Sequence, residues 1–395
     1  MKKQAYATAL LFLSVLFAFS LAFVLLPDRD FSEQENRSLA SLPRFSWQKL
    51  ARGEFAAQVN DYFADQFPLR DTLVGVKAVM EISMGKGGNN GILQGKGGAL
   101  ARYRFDVLRA DGQTAEQTDG IDGTAIQNAC NGICRVQKEL KLPFTVLLTG
   151  RNIDVAPTLF GYPQKVSDRF LEAVGQELGQ SVQTVDTVPL FRAESARGEQ
   201  VYYKTDHHWT TKGAYLAYVQ LMKTLGMEQE ILPETAFEKQ TVSERFYGTL
   251  WSAGGMKWVG PDAVEIWKLG NEDSFEVIAD GKALTGFYAM RWCAEKDCYS
   301  VFLDGVHDVV TVTKRQEQDR PKLLILKDSF ANSLAPFLAQ HFDLVLLNLS
   351  STRTDFRDVG TWAEKYGADR VLLVYTLENL LTADRLSRLC CMETE

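Results

Sequence analysis

Two short stretches of the chain hold the side chains best suited to acid–base and nucleophilic chemistry. The first contains Asp206 and His208, and with His207 between them it supplies two of the only four histidines in 395 residues. In the second, Ser329 follows a short apolar run. A serine hydroxyl becomes a good nucleophile when a base accepts its proton and a third group orients that base. Together the stretches predict a hydrolase-type site in which Ser329 is the nucleophile, His208 the base and Asp206 the orienting carboxylate.

The choice between the neighbouring histidines depends on the conformation of the chain around them. In an extended segment side chains alternate, so Asp206 and His208 are expected to point one way and His207 the other. Metal binding by all three is the competing interpretation, because manganese phosphoesterases of the Asp-His-His type use such a triplet. Those enzymes also need an upstream His-x-Asp-x-Asp, and no histidine precedes His207 here. We therefore expect neither a metal nor another cofactor.

The residues around Ser329 predict a turn from a buried strand into a helix. Pro336 suits the first turn of such a helix, where a missing backbone N–H costs nothing. Free N–H groups and the positive end of the helix dipole at this point suit a developing oxyanion. The alternative is that Ser329 only caps the helix.

The elements that must position both motifs follow an α/β pattern. Helical patterns separate short apolar runs that are typical of buried parallel strands, at 144–149, 323–326, 344–349 and 371–375. We predict a parallel sheet with helices on both faces. A mostly β insertion at 227–320 is expected to interrupt it, with a hairpin at Asp304-Gly305. Ligands of such sheets bind beyond the carboxyl ends of the strands, where both motifs fall.

The N-terminal segment predicts attachment to a membrane. Lys2 and Lys3 precede a long apolar run, and roughly 20 apolar residues span a bilayer. The run lacks the small-residue exit of a cleaved signal peptide, so we favour an uncleaved anchor at 1–27, with a signal peptide as the alternative. The positive-inside rule places the rest of the chain outside the cytoplasm. We interpret 28–99 as a tether and helical stalk, and 100–395 as the main domain.

Charge and cysteine content narrow the classes of partner. The net charge of -7 argues against binding to nucleic acid, which depends on basic groups. The six cysteines form no C-x-x-C pair, which argues against a structural zinc site. Cys293 and Cys298 bracket a short polar turn and are candidates for a disulfide in an oxidising compartment.

The two motifs resemble the signatures of the bacterial DHHW proteins. KTDHHWT at 204–210, followed by GAY at 213–215, resembles the first signature, and LILKDSFANS at 324–333 resembles the second. A weaker likeness extends to ENR at 35–37 and DQFPLR at 65–70. DHHW proteins are similar to the SGNH-hydrolase-like domains of alginate O-acetylation proteins of the AlgJ/AlgX type. The resemblance therefore implies an SGNH-like fold.

The same resemblance implies a function. It carries over Asp206, His208 and Ser329 as the catalytic triad of an extracytoplasmic enzyme. Such an enzyme would transfer acetyl groups to a cell-surface polysaccharide. A membrane-bound O-acyltransferase often supplies the acetyl group in these systems. A carbohydrate acetylesterase with the same triad, and a non-catalytic surface scaffold or glycan-binding protein, are the alternatives that the sequence leaves open.

The resemblance is less complete around the triad. The glycine that usually precedes Asp-Ser is replaced by Lys327. Candidates for the oxyanion hole and the substrate-binding groups are Phe330, Asn332 and Asn152. Arg151 is a candidate for holding a carboxylate or sulfate of a sugar, with an ordinary surface role as the alternative.

Overall fold

A computed structural model describes residues 2–32, 34, 37–102, 123–161, 164–180, 182–380 and 385–391. Residues 35 and 36 of the weak ENR match lie outside the described residues. The chain divides into two compact units, Met1–Asn90 with Trp251–Trp258 and Gly91–Leu250 with Val259–Glu395. The domain boundaries at residues 27 and 99 stay a prediction.

The first unit contains one helix that is long and apolar enough to cross a membrane, judged by length and composition within the described residues. The elements of this unit up to residue 89 are α1 (Lys2–Leu25), β1 (Phe31–Ser32), β2 (Arg37–Ser38), α2 (Trp47–Ala51), α3 (Glu54–Asp65), α4 (Arg70–Ser83) and β3 (Gly88–Asn89). The helical stalk is thus broken into separate helices. The breaks occur where Gly53 and Leu69 adopt positive φ.

The second unit is built on one large sheet of eight strands. The strands that follow along the chain are β4 (Ile92–Gln94), β5 (Leu100–Arg102), β6 (Phe144–Thr149), β7 (Gln183–Val185), β8 (Glu238–Phe246), β9 (Asp262–Lys268), β10 (Phe275–Ala279), β11 (Lys282–Ala283), β12 (Val309–Lys314), β13 (Lys322–Lys327), β14 (Asp343–Asn348) and β15 (Arg370–Thr376). The order across the large sheet is β11-β10-β12-β14-β13-β15-β6-β7.

The predicted parallel sheet is confirmed, with an addition from the insertion. The block β14-β13-β15-β6-β7 is parallel throughout. Strands β10, β11 and β12 come from the insertion and extend this block as an antiparallel edge. The insertion therefore does not stand apart from the core sheet, since three of its strands complete it.

Helices cover both faces of the sheet, as predicted. The helices that follow along the chain are α5 (Gly123–Glu139), α6 (Asn152–Val155), α7 (Gln164–Leu178), α8 (Val188–Ala196), α9 (Thr211–Thr224), α10 (Thr249–Gly254), α11 (Ala331–Leu338), α12 (Val359–Tyr366) and α13 (Leu377–Leu380). The strand side chains alternate between two cores: Leu323 and Ile325 of β13 pack with α9 and α11, whereas Leu324 and Leu326 pack with α5 and α12. This alternation explains why the strand is apolar along its whole length.

Two local predictions are wrong. No hairpin forms at Asp304: residues Cys298–Val301 form a 3₁₀ turn instead, and Leu303 and Asp304 both have positive φ. Pro336 does not lie in the first turn of its helix, because α11 begins at Ala331 and includes the proline in its interior.

Cys293 and Cys298 are free thiols in the structure. Burial is the main cause of the raised pKa of each, and their side chains hydrogen-bond to each other. A disulfide between them stays a prediction for an oxidising compartment.

Candidate active site

Ser329 lies in the turn between β13 and α11, at the carboxyl edge of the large sheet. The buried carboxylate of Asp328 holds this turn. It accepts the backbone N–H groups of Phe330 at 3.1 Å and Thr376 at 2.8 Å, and the side-chain amide of Asn379 at 3.0 Å. Because Thr376 ends β15, this carboxylate ties Ser329 to the neighbouring strand. Burial raises the pKa of Asp328.

Asp206 and His208 lie in a bent loop, not in the extended segment that we predicted. The loop connects Tyr202 to Trp209, and these two residues form an antiparallel β-bridge. Within it, Oδ1 of Asp206 accepts the backbone N–H of His208 at 2.9 Å, a local bond that aspartate commonly makes two residues along the chain. The two side chains face each other as expected, but a turn rather than strand alternation brings them together.

The structure brings Ser329, His208 and Asp206 into one hydrogen-bonded chain. The Nε2 atom of His208 lies 2.6 Å from the Oγ of Ser329. The Nδ1 atom lies 2.5 Å from Oδ1 of Asp206. With Nδ1–H donating to the carboxylate, Nε2 is left to accept a proton. This is the arrangement in which an imidazole can deprotonate a serine hydroxyl.

Asp206 is buried with both carboxylate oxygens satisfied. Its Oδ2 accepts the backbone N–H of Thr249 at 2.8 Å and the hydroxyl of the same residue at 3.0 Å. Burial alone raises the pKa of Asp206, but the imidazoles of His207 and His208 and these hydrogen bonds outweigh it and hold the pKa well below its usual range. The carboxylate is therefore ionised at neutral pH and can stabilise an imidazolium.

A second buried carboxylate, Asp262 on β9, fixes the loop that carries the histidines. It accepts the backbone N–H groups of Lys204 at 2.9 Å and Thr205 at 2.8 Å. It also accepts the Thr205 hydroxyl at 2.6 Å. Asp262 belongs to the insertion, and sequence reasoning missed it because nothing local marks it as a partner of residues so far upstream.

Gly248 is a further residue that sequence reasoning missed. A Cβ atom at this position would lie 2.2 Å from Cβ of Asp206 and 2.5 Å from its Oδ2. No side chain tolerates contacts that short, so only glycine lets the carboxylate sit where it meets His208.

We expect Gly248→Ala to lower kcat for an acetyl ester by about 10²-fold, because a displacement of about 1 Å in a catalytic group costs that much. KM should change little, since the added methyl contacts Asp206 and not the hydroxyl of Ser329. Gly260→Ala is the matched control, because no atom lies within 4 Å of a Cβ built there. Steady-state kinetics on both variants check this. An unchanged kcat for Gly248→Ala would mean that the loop accommodates the methyl group without displacing Asp206 from His208.

The imidazole of His208 is held between aromatic rings. The ring of Tyr299 stacks on it, with centroids 3.7 Å apart and planes 12° apart. The ring of His207 lies 3.9 Å away. The Tyr299 hydroxyl reaches Ser333 Oγ at 3.0 Å, and Trp209 Nε1 donates to the same atom at 2.8 Å. Tyr299 is thereby fixed, and it restricts rotation of the base.

The acidity of His208 sets an expected pH dependence. Burial and the nearby His207 lower its pKa from 6.5 to about 4, against the opposing effect of Asp206. Because the pKa is lowered, the imidazole stays neutral as the pH falls past 6.5 and gains a proton only near pH 4. We expect kcat/KM to remain level from neutral pH to about pH 5 and to fall about tenfold per pH unit below the pKa.

A pH–rate profile, with the fold followed by circular dichroism at each pH, checks this expectation. A midpoint near pH 6.5 would show that His208 is not desolvated in solution.

The predicted oxyanion donors are engaged elsewhere. The N–H of Phe330 donates to Asp328. The amide of Asn332 accepts from Lys327 Nζ at 2.8 Å and donates to the Gly305 carbonyl at 2.9 Å. The amide of Asn152 donates to the Leu100 carbonyl at 3.1 Å. The single N–H of Phe330 is thus already used, whereas each amide NH₂ has a second N–H, so a role for Asn332 and Asn152 in binding an oxyanion stays a prediction.

The backbone N–H of Ser329 is a further candidate donor. Within the part of the chain that the structure describes, no hydrogen-bond acceptor is assigned to it. A donor on the nucleophile's own backbone is well placed for the oxygen of a tetrahedral intermediate.

Lys327, which stands where the usual motif has glycine, is buried. Its Nζ donates to Asn332. Burial lowers the pKa of Lys327 to about 8, while Asp328 and Asp280 oppose the shift. The lysine thus orders the start of α11 and places positive charge near the base, whose pKa it lowers further.

Arg151 forms an ion pair with the buried carboxylate of Asp154. Its Nε and Nη2 each donate to the carboxylate of Asp154 at 2.7 Å, and its guanidinium lies 4.7 Å from the centre of the Phe170 ring. Its charge is thus matched by Asp154, and a role for Arg151 in holding an anionic sugar group stays a prediction. Arg151 and Asn152 do line a small cavity together with His207.

Asp206, His207 and His208 also form a group whose ligand atoms all lie within 4.8 Å of one another. However, both oxygens of Asp206 and both ring nitrogens of His208 already have partners in the hydrogen-bonded chain. A cation would have to break that chain to bind. The donor set therefore does not fit a resident metal, and we derive no step through one.

Comparison with known proteins agrees with this architecture. A family model described as the SGNH hydrolase-like domain of the acetyltransferase AlgX matches residues 159–268, which include Asp206 and His208 but not Ser329. No curated protein sequence matches the chain.

Solved structures share the fold. A DHHW family protein from Eubacterium siraeum has a TM-score of 0.59 at 17% identity, covering 77% of this chain and 97% of that one. PatB1 from Bacillus cereus has a TM-score of 0.59 at 19% identity, covering 74% and 98%. A second PatB1 structure, with a sulfonyl adduct, has a TM-score of 0.56 at 19% identity, covering 74% and 96%. The chain is therefore an SGNH-like α/β protein, similar to the AlgX acetyltransferase domain in sequence and to a DHHW family protein in fold, as its two motifs predict.

Proposed function

We propose that the protein is a membrane-anchored serine O-acetyltransferase that faces outward and modifies a cell-surface polysaccharide. The hydrogen-bonded chain Ser329–His208–Asp206 carries this proposal, with donor–acceptor distances of 2.6 Å and 2.5 Å. A nucleophile, a base and an orienting carboxylate in this order are what acyl transfer through a covalent intermediate requires.

The proposed reaction has two halves. In the first, His208 Nε2 takes the proton of the Ser329 hydroxyl while Oγ attacks the acetyl carbonyl of the donor. The tetrahedral intermediate collapses, the leaving group takes the proton from His208, and acetyl-Ser329 remains. In the second half, His208 deprotonates a sugar hydroxyl, which attacks the acetyl carbonyl. This second tetrahedral intermediate collapses as the bond to Ser329 Oγ breaks and His208 returns its proton to that oxygen. The products are an acetylated sugar and free Ser329, and Asp206 stabilises the imidazolium in both halves.

Several observations support the proposed setting. The apolar helix α1 has the length and composition of a membrane anchor or a signal sequence. The likeness to the AlgX acetyltransferase domain supports O-acetyl transfer at the level of the family. We include a membrane-bound O-acyltransferase as the supplier of acetyl groups. We keep the division into an anchor at 1–27, a stalk at 28–99 and a catalytic domain at 100–395.

One observation favours a non-catalytic alternative. The predicted side-chain donors for an oxyanion, Asn152 and Asn332, are both engaged with other groups. A protein with a relic site would bind a surface glycan without transferring an acyl group. An acetylesterase, in contrast, would use the same three residues and differ only in that water reaches the acyl-enzyme.

A single assay separates these functions. The purified full-length protein in detergent micelles is incubated with p-nitrophenyl acetate, with and without acetyl-free oligosaccharides, and products are identified by mass spectrometry. Acetylated oligosaccharide supports the transferase. Release of acetate that does not respond to acceptor indicates the esterase. Absence of any reaction that depends on Ser329 indicates the scaffold.

A covalent probe gives an independent readout. Because PatB1 is known with a sulfonyl adduct, phenylmethylsulfonyl fluoride is a suitable reagent for an activated hydroxyl. We expect a single adduct on the peptide that contains Ser329. Labelling spread evenly over several serines would argue that Ser329 is not activated.

A further inference from the structure

The corner between α3 and α4, residues 65–70, carries a motif that the proposed chemistry does not use. Its apolar side chains face outward: Phe67 is 41% exposed and Leu69 is 66% exposed. Single exposed apolar residues are common on protein surfaces and need no explanation. At this corner, however, several other features point to one environment.

Aromatic contacts join the corner directly to the apolar helix. The ring of Phe67 stacks on Phe19 of α1, with centroids 5.4 Å apart. One turn earlier in α3, Phe63 stacks on Phe23 at 4.9 Å. All four rings belong to the first compact unit. From Phe63 to Phe67 the chain therefore runs along α1 towards the N-terminus of that helix.

The position of these contacts along α1 sets their depth. At 1.5 Å per residue, Phe23 lies roughly 3 Å before the end of α1 at Leu25, and Phe19 roughly 9 Å before it. If α1 crosses a bilayer up to its end, Phe19 lies inside the hydrocarbon layer. A ring that stacks on Phe19 must then lie at a similar depth, so Phe67 is in contact with lipid.

Polar groups hold the corner rigidly on its other side. Asp65 accepts two hydrogen bonds from Arg37, at 2.9 Å and 2.5 Å, and the Ala40 N–H at 2.8 Å. The hydrogen bond from Arg37 is the main reason that the pKa of Asp65 falls to about 2. The carboxamide of Gln66 bonds to both backbone polar groups of Arg29. These hydrogen bonds thus fix the backbone next to the exposed side chains of Phe67 and Leu69.

The backbone at Leu69 adds a separate argument. Its φ is 59° and its ψ is 19°, in the left-handed region. Glycine or asparagine adopts this conformation at lower cost than leucine. An exposed leucine in a strained backbone is poorly explained by packing within the chain. It is well explained by an apolar medium outside the protein.

We propose that residues 65–70 form a membrane-contact corner, with Phe67 and Leu69 inserted into the leaflet next to α1. The proposal rests on α1 being an uncleaved anchor and is independent of the catalytic chemistry. Lipid agrees with both the aromatic contacts to α1 and the exposed, strained leucine.

Site-specific photo-crosslinking of the full-length protein tests this corner. Benzoylphenylalanine replaces Phe67 or Leu69, and the protein is placed in nanodiscs of phosphatidylethanolamine and phosphatidylglycerol. Leu16 within α1 is the positive control. Val306 in the second unit, 71% exposed, is the matched negative control. Intact mass spectrometry after irradiation measures the phospholipid adducts.

We expect lipid adducts at 67 and 69 with a yield close to that at 16 and several times that at 306. If position 16 is labelled but positions 67 and 69 give no more lipid adduct than position 306, the membrane-contact corner is overturned and the anchor is retained. Adducts to a second copy of the protein at 67 or 69 would also overturn it, in favour of a self-interface. No lipid adduct at any position would reject the anchor and the corner together, while acetyl-ester turnover by the same samples would still report on the catalytic proposal.

Discussion

Ser329→Ala is expected to remove nearly all turnover of an acetyl ester, with a loss of about 10⁴- to 10⁶-fold in kcat. The physical reason is that the oxygen which would take the acetyl group is the Oγ of Ser329, which lies 2.6 Å from Nε2 of the base. The fold should be unaffected, because the Ser329 hydroxyl is only half-buried and the turn is held by Asp328. Steady-state kinetics with p-nitrophenyl acetate measure the loss.

Two further variants make this result specific. Ser83→Ala removes an exposed hydroxyl in the stalk and should leave kcat unchanged. The double variant Ser329→Ala, His208→Ala should be no slower than either single variant, because residues that act as one unit are strongly non-additive. Losses that multiply in the double variant would show that Ser329 and His208 act separately. Retention of full activity by Ser329→Ala would end the acyl-enzyme proposal.

Asp206→Asn is expected to lower kcat by about 10⁴-fold, because an amide in place of the carboxylate favours the wrong imidazole tautomer. The structure adds a reason for some loss of stability. Every acceptor position of Asp206 faces a donor, namely the N–H and Nδ1 of His208 and the N–H and hydroxyl of Thr249. An amide NH₂ must oppose one of them, and an unsatisfied buried group costs about 1–3 kcal/mol.

Kinetics and thermal unfolding of the same sample separate the two effects. Asp319→Asn is the control, since Asp319 is exposed and its positive φ is one that asparagine tolerates. We expect it to change neither kcat nor the melting temperature. If Asp206→Asn unfolds at a lower temperature yet turns over ester at the normal rate, Asp206 supports the loop and has no part in catalysis.

The strands of the large sheet differ in how well the local sequence predicts them. Strands β6, β13, β14 and β15 could be predicted from short apolar runs, because strands buried on both faces need apolar side chains on both sides. The insertion was recognised by its loss of this rhythm. Its strands β10 to β12 were not expected in the same sheet, since pairing between distant strands depends on which edge is open and leaves no local signature.

The residues of the candidate active site also differ in whether the sequence or only the tertiary structure identifies them. By itself the sequence determined that Asp206 and His208 lie side by side and that Ser329 follows a strand, because these are properties of neighbours within a few residues. Only the tertiary structure decided that Tyr299 stacks on the base and that Gly248 admits the carboxylate. Both residues come from the insertion, and their contacts arise from packing between segments far apart along the chain, which no periodicity or capping preference encodes.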